Sequence, residues 1–210
     1  MKKYIVIVSL IIAALFAFDY AYDHLGWYIP SGEEQPEIFV KTEDENILIK
    51  QNGKFTEFEI RGVNLGSSIP GQWSSDYAID EETYLKWFGQ MSDMGANTIR
   101  VYGVQSEAFY KAFYNYNQNN KKPLYLLQGV IVNDYMQYSH RDAFDDNIAE
   151  KLTDNCLTAV DVVHGRKKIQ LGRNAENATG SFKMDVSDWV IGYVIGIDFE
   201  PSTVSYTNEK

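Results

Sequence analysis

The stretch that most constrains the fold of this 210-residue chain is Trp189-Val-Ile-Gly-Tyr-Val-Ile-Gly-Ile-Asp-Phe-Glu-Pro201. Its β-branched apolar run at residues 190–197 predicts a buried strand. The run leads to Glu200, and Pro201 ends the strand pattern. An ionised carboxylate is costly to bury unless another group pairs with it or uses it. Glu200, at the end of a buried strand, is therefore the first candidate functional residue.

Three further strand patterns precede this stretch, with helical patterns between them. The strands are predicted at residues 58–66, 97–102 and 123–132, and the helices at residues 80–95, from residue 106, and at residues 145–163. This alternation of strands and helices predicts a parallel sheet, either doubly wound or the start of a (β/α)8 barrel. The first strand is followed by no Gly-x-Gly-x-x-Gly motif, which disfavours a dinucleotide-binding fold.

The N-terminus carries an export signal. Lys2 and Lys3 precede an unbroken apolar or small run at residues 4–18. Small residues at positions −3 and −1 of a cleavage site are missing, so an uncleaved signal anchor is favoured over the cleaved signal of a secreted protein. Either way, we expect the rest of the chain outside the cytoplasm, and the anchor would make it a single-pass membrane protein.

The chain divides into three segments. Residues 1–28 form the anchor, residues 29–37 a Pro- and Glu-rich linker, and residues 38–210 one α/β domain. Asn52-Gly53 lies between two segments of alternating polarity and predicts a β-hairpin near the start of that domain.

Composition excludes several classes of function. The net charge of −10, without a basic stripe, argues against a nucleic-acid partner. Three scattered histidines show no metal-ligand spacing, so neither a metal nor an organic cofactor is expected. Aromatic residues make up 14% of the chain, which suits the stacking of sugar rings but suits a Tyr-rich core equally well.

Polar and aromatic side chains follow the predicted strands. Catalytic groups of parallel β/α folds gather where the strands end. The residues at these ends are Asn64 after the first strand, Arg100 and Tyr102 on the second, Asn133 and Asp134 after the third, and Asp198, Phe199 and Glu200 after the fourth. This set is suited to gripping hydroxyls and placing one carboxyl group. Trp73 and Tyr77, in the loop at residues 67–78, would add a sugar-stacking wall or be ordinary loop packing.

Three motifs, in order, resemble a known clan. Phe58-Glu-Ile-Arg-Gly-Val-Asn64 resembles the first strand of retaining glycoside hydrolases with (β/α)8 barrels, which include glycoside hydrolase families 2 and 5. Met94-Gly-Ala-Asn-Thr-Ile-Arg-Val-Tyr102 is similar to their second strand, and the stretch ending in Glu200 resembles their fourth. The resemblance implies the first four β/α units of such a barrel, preceded by the anchor helix and the hairpin.

The resemblance also implies residue roles. Glu200 would be the general acid/base, and Arg100 would sit beneath the catalytic centre and favour an ionised carboxylate. Alternatively, Arg100 forms an ion pair that caps the core, and Glu200 is a surface carboxylate at the end of a strand. The clan has Asn immediately before the acid/base, where this chain has Phe199. Its nucleophile lies on strand seven, beyond residue 210.

The resulting expectation is the N-terminal half of a membrane-anchored, extracytoplasmic glycoside hydrolase, inactive by itself. Its partners would be a carbohydrate substrate, the membrane and the missing C-terminal half-barrel. A β-glucan transglycosylase of the same clan is one alternative, since it uses the same pair of carboxylates. A non-catalytic carbohydrate-binding envelope protein is the other.

Overall fold

A computed structural model describes residues 2–25, 38–131, 142–170, 177–196 and 201–209 of the protein. The helices are α1 (Lys2–Leu25), α2 (Glu81–Asp93), α3 (Glu107–Asn119), α4 (Asp146–Val163) and α5 (Pro201–Asn208). The strands are β1 (Val40–Glu43), β2 (Asn46–Gln51), β3 (Lys54–Glu57), β4 (Gly62–Leu65), β5 (Thr98–Val101), β6 (Tyr125–Val130), β7 (Lys167–Ile169), β8 (Gly180–Phe182) and β9 (Val190–Ile195). The architecture is mixed α/β.

A four-stranded parallel sheet forms the centre of the domain. Its strands lie side by side in the order β4-β5-β6-β9, which is also their order along the chain. The parallel sheet predicted from the alternation of strands and helices is therefore confirmed. A register shift between Leu126 and Leu127 leaves one extra residue on β9.

The hydrophobic core lies on one face of this sheet. Ile99, Val101 and Leu126 are fully buried and belong to the same cluster as the apolar residues of α2, α3 and α4. Tyr84 and Phe88 of α2 pack against Phe109 of α3 in a group of aromatic rings with centroids 5.3 to 6.0 Å apart. The opposite face of the sheet carries the alternate residues of each strand.

The helices predicted at residues 80–95, from residue 106 and at residues 145–163 are confirmed as α2, α3 and α4. The Asp80 side chain accepts a hydrogen bond from the Thr83 N–H (2.8 Å) at the start of α2. The Asp145 side chain does the same for the Asn147 N–H (3.0 Å) at the start of α4. Ser106 occupies the N-cap position of α3, but its hydroxyl makes no cap bond. These caps satisfy backbone donors that have no partner within the helix.

The hairpin at Asn52-Gly53 is confirmed. Both residues adopt positive φ (51° and 78°), as a tight two-residue turn requires, and they join β2 to β3 in an antiparallel sheet with β1. The strand predicted from residue 58 begins later, at Gly62. Phe58 instead donates its N–H to the Ile47 carbonyl (2.8 Å) and so extends the contact with the hairpin.

Three of the described elements, β7, β8 and α5, have no counterpart in the prediction. Strands β7 and β8 pair antiparallel, with Lys167 opposite Phe182, and α5 begins at Pro201. Three-residue strands show too few alternations to produce a periodic signal, and proline is well tolerated in the first turn of a helix.

Helix α1 is apolar and long enough to cross a membrane. Its span Lys3–Ala21 has a mean hydropathy of 2.2, and none of it is buried inside the protein. A helix of this kind acts either as a membrane anchor or as a signal sequence.

Candidate functional site

Two of the predicted site residues are neighbours on the face of the central sheet opposite the core. Asn64 of β4 pairs in register with Arg100 of β5, and Arg100 pairs with Leu127 of β6. Leu127 in turn pairs with Gly192 of β9. Since paired residues of adjacent strands point to the same side, these four positions form one row across the sheet. We call it the open-face row.

The open-face row is only partly covered by the described residues. Asn64 is exposed, whereas Arg100, Leu127 and Gly192 are half-buried. The alternate residues of the same strands, such as Ile99 and Val101, are fully buried. Parallel sheets are normally covered on both faces. In the described part of the chain, one face of this sheet is only partly covered.

Arg100 is held in the row by an aromatic ring. Its guanidinium carbon lies 5.1 Å from the centroid of the Tyr102 ring, a cation–π contact with a residue just after the end of β5. Its Nε is buried and has no hydrogen-bond partner among the described residues. No described carboxylate forms an ion pair with Arg100. The described residues thus do not form the core-capping ion pair that is the alternative role of Arg100.

Gly129 lets the carboxyl ends of β5 and β6 approach closely. A Cβ at this position would overlap the carbonyl oxygens of Val101 and Tyr102. The backbone that carries Tyr102 therefore crosses directly over Gly129. Sequence reasoning missed this residue, although a glycine inside a strand pattern is a known signal of close backbone approach.

A buried hydrogen-bond network stiffens the same end of the sheet from the core side. The Tyr110 hydroxyl donates to Gln128 Oε1 (2.8 Å), and Gln128 Nε2 donates to the Gly129 carbonyl (2.9 Å). Burial raises the pKa of Tyr110 far above its usual range, so the phenol stays protonated and remains a donor. Gln128 was also missed, because a glutamine in an apolar strand pattern gives no local sign of its partner.

Trp73 lies in the loop that follows β4, and its side chain is 80% exposed. The loop is cross-braced: Ser67 Oγ donates to the Ser74 carbonyl (2.9 Å), and the Trp73 N–H donates to Asp76 Oδ2 (2.9 Å). Tyr77 adopts the left-handed conformation (φ 46°), which is unusual for a bulky residue. Tyr77 is half-buried, and burial raises its pKa. Trp73 is therefore an exposed ring on a braced loop, whereas Tyr77 belongs to the packing.

The remaining predicted site residues lie outside the described residues. These are Asn133, Asp134, Asp198, Phe199 and Glu200. The nearest described positions around the last three are Gly196, which follows β9, and Pro201, which begins α5. Within the described ranges, no group of three or more His, Cys, Asp or Glu side chains is arranged to hold a metal ion.

Comparisons of the chain with protein-family models, with curated proteins and with solved structures gave no match.

Proposed function

We propose that this chain is the N-terminal half of a membrane-anchored glycoside hydrolase of the retaining type, with Glu200 as its acid/base. The observation that carries the proposal is the open-face row. It sets Asn64, an amide suited to binding hydroxyls, beside Arg100, a cation whose buried Nε has no hydrogen-bond partner among the described residues. Both residues come from the strands that resemble the clan, and both lie on the sheet face away from the core.

The partly covered sheet supports the proposal that this chain is half of a barrel. Its four strands run parallel in sequential order, with α2, α3 and α4 against one face. In a (β/α)8 barrel the helices cover the outside, and the other face of the sheet lines an interior that is filled by inward side chains of all eight strands. A following half-barrel would cover the open-face row. It would close the sheet into a barrel and exclude water from Arg100.

The mechanism needs two carboxyl groups about 5 Å apart. The Glu200 carboxyl gives its proton to the glycosidic oxygen while a carboxylate of the other half attacks the anomeric carbon, so the leaving sugar departs as an alcohol. The Glu200 carboxylate then takes a proton from water, and that water attacks the anomeric carbon and releases the nucleophile. The Arg100 guanidinium favours the ionised state of a nearby carboxylate.

The test is activity of this chain expressed together with the part of its reading frame that follows Lys210. Wild type should release sugar from an aryl glycoside, and Glu200→Gln should slow hydrolysis by about 10² to 10⁴-fold, the usual contribution of a general acid–base. Azide attacks without a general base, so it should restore turnover of the variant on a substrate with a good leaving group. Residues 1–210 alone should be inactive.

Glu209→Gln is the matched control, because Glu209 is exposed beyond α5 and the change removes the same charge. Equal loss in both variants, or no loss in Glu200→Gln, would contradict the assignment. Products longer than the substrate would identify a transglycosylase instead. A reading frame that stops at Lys210, without a partner chain, would favour the non-catalytic carbohydrate-binding protein.

A further inference from the structure

A cleft lies at the end of the central sheet opposite the carboxyl ends of its strands. It has a volume of about 640 Å³, within the usual range for small-molecule sites. It opens between the β2–β3 turn and the loop that joins α3 to β6. We call it the basal cleft, and its lining residues include Asn52, Glu57, Phe58, Glu59, Arg61, Asn97, Lys121, Lys122 and Tyr125.

The floor of the basal cleft is rigid. The rings of Phe58 and Tyr125 meet edge to face with centroids 5.1 Å apart. Asn97 fastens the chain beside them: its Oδ1 accepts from the Arg61 N–H (2.8 Å), and its Nδ2 donates to the Glu59 carbonyl (2.8 Å). The cleft is therefore formed before any ligand arrives, which lowers the entropic cost of binding.

The rim of the basal cleft carries charged side chains that form no ion pair with any described residue. Arg61, Lys121 and Lys122 are exposed cations, and none forms an ion pair with a described residue. The carboxylates of Glu57 and Glu59 on the same rim are likewise unpaired within the described chain. Elsewhere such groups do pair, as Lys111 does with Glu81 at 2.8 Å.

We propose that the basal cleft binds an acidic saccharide, a sugar chain whose rings carry carboxylates. The three cations would receive the carboxylates through charge-assisted hydrogen bonds. Glu57, Glu59 and the Asn52 amide would bind hydroxyls, and the Phe58–Tyr125 floor would contact a ring face. A bare anion would use neither the acids nor the aromatic floor.

The experiment is calorimetric titration of the full chain in detergent micelles with a tetrasaccharide of galacturonic acid. Removing two cations, as in Lys121→Gln/Lys122→Gln, should weaken binding about ten-fold. The matched control is Lys86→Gln/Lys183→Gln, which removes the same charge from two exposed lysines outside the cleft. It should leave the Kd within about two-fold, since distant exposed charges are screened.

Two further probes separate the contributions of charge and ring. The fully methyl-esterified tetrasaccharide should bind about ten-fold more weakly, and inorganic phosphate should not displace the acidic form. Equal binding of the ester, displacement by phosphate, equal weakening in the control variant, or no binding at all would each overturn the proposal. Glu200→Gln should not change this Kd, because the basal cleft does not depend on the proposed catalytic site.

Discussion

Single residues set the geometry at the carboxyl end of the central sheet. Gly129 admits the backbone of Val101 and Tyr102 where any Cβ would overlap it. Tyr102 in turn holds the Arg100 guanidinium over its ring. The position of Arg100 in the open-face row thus depends on Gly129, a residue that has no side chain.

Gly129→Ala should destabilise the protein by about 2 kcal/mol or more, because backbone on a packed strand must move to admit the Cβ. The matched control is Gly89→Ala in α2, where a Cβ meets nothing within 4 Å. That change should stabilise the protein by up to about 1 kcal/mol, since alanine is the better helix former.

Urea denaturation of both variants, followed by circular dichroism, would measure these effects. A Gly129→Ala variant as stable as wild type would show that the strands do not approach as closely as described.

Elements are joined by side-chain contacts at their ends. Helix α4 ends at His164, which bridges to Asp185 in the segment after β8. His164 Nδ1 lies 3.9 Å from Asp185 Oδ1, and that oxygen also accepts hydrogen bonds from the Ser187 hydroxyl (2.6 Å) and N–H (3.0 Å). The contact fastens the β7–β8 segment to the end of α4, just before β9 begins.

The pH dependence of this contact has a definite sign. The His164 imidazole 3.9 Å away, together with the two hydrogen bonds from Ser187, lowers the pKa of Asp185 to about 2. An aspartate with a lowered pKa stabilises the fold above its unfolded pKa of about 3.9, and that stabilisation disappears as the pH falls through about 2. The Asp185 side chain is 60% exposed, so the gain should stay below about 1 kcal/mol.

Asp185→Asn should therefore be less stable than wild type at pH 6, and the difference should shrink as the pH falls from 4 towards 2. The measurement is the urea midpoint of each protein across this range. Asp188→Asn, a change at an exposed neighbour with no hydrogen bond or ion pair to the described residues, should follow wild type at every pH. A constant difference between Asp185→Asn and wild type would contradict the assignment.

At the scale of the whole molecule, two surfaces are unlike those of an ordinary globular domain. Helix α1 exposes large apolar side chains along its length, such as Leu10 (65%) and Phe16 (71%). The central sheet leaves its open-face row partly uncovered by the described residues. We propose that lipid covers the first surface and that a following half-barrel covers the second.

The intact chain should stay with the membrane fraction after alkaline carbonate extraction, because burial of an apolar helix of this length in lipid is effectively irreversible. A variant lacking residues 2–25 should become soluble. Mass spectrometry of the exported protein distinguishes an uncleaved anchor, which retains Met1 or Lys2, from a cleaved signal peptide. Full extraction of the intact chain would contradict membrane anchoring.

Sequence reasoning succeeded where the signal was local. The helices predicted to begin near Asp80 and Asp145 follow from patterns within a few turns, and Asn52-Gly53 closes a hairpin through its own backbone preferences. The adjacency of Asn64 and Arg100 was also predictable, because the ends of parallel strands meet at one edge of a sheet. The sequence did not predict that Leu127 and Gly192 belong to the open-face row. A register shift between β6 and β9 decides that Gly192 is the residue opposite Leu127.

The sequence by itself determined the apolar N-terminal helix, the hairpin, the alternation of strands and helices, and the candidates at the strand ends. These depend on spacing and on contacts within a few residues. Only the tertiary structure decided that Arg100 lies over Tyr102, with its Nε unpartnered among the described residues. The tertiary structure also decided that Gly129 admits the backbone of the neighbouring strand, and that a charged cleft opens at the opposite end of the central sheet. Each of these depends on which distant residues pack together, and no local pattern encodes that.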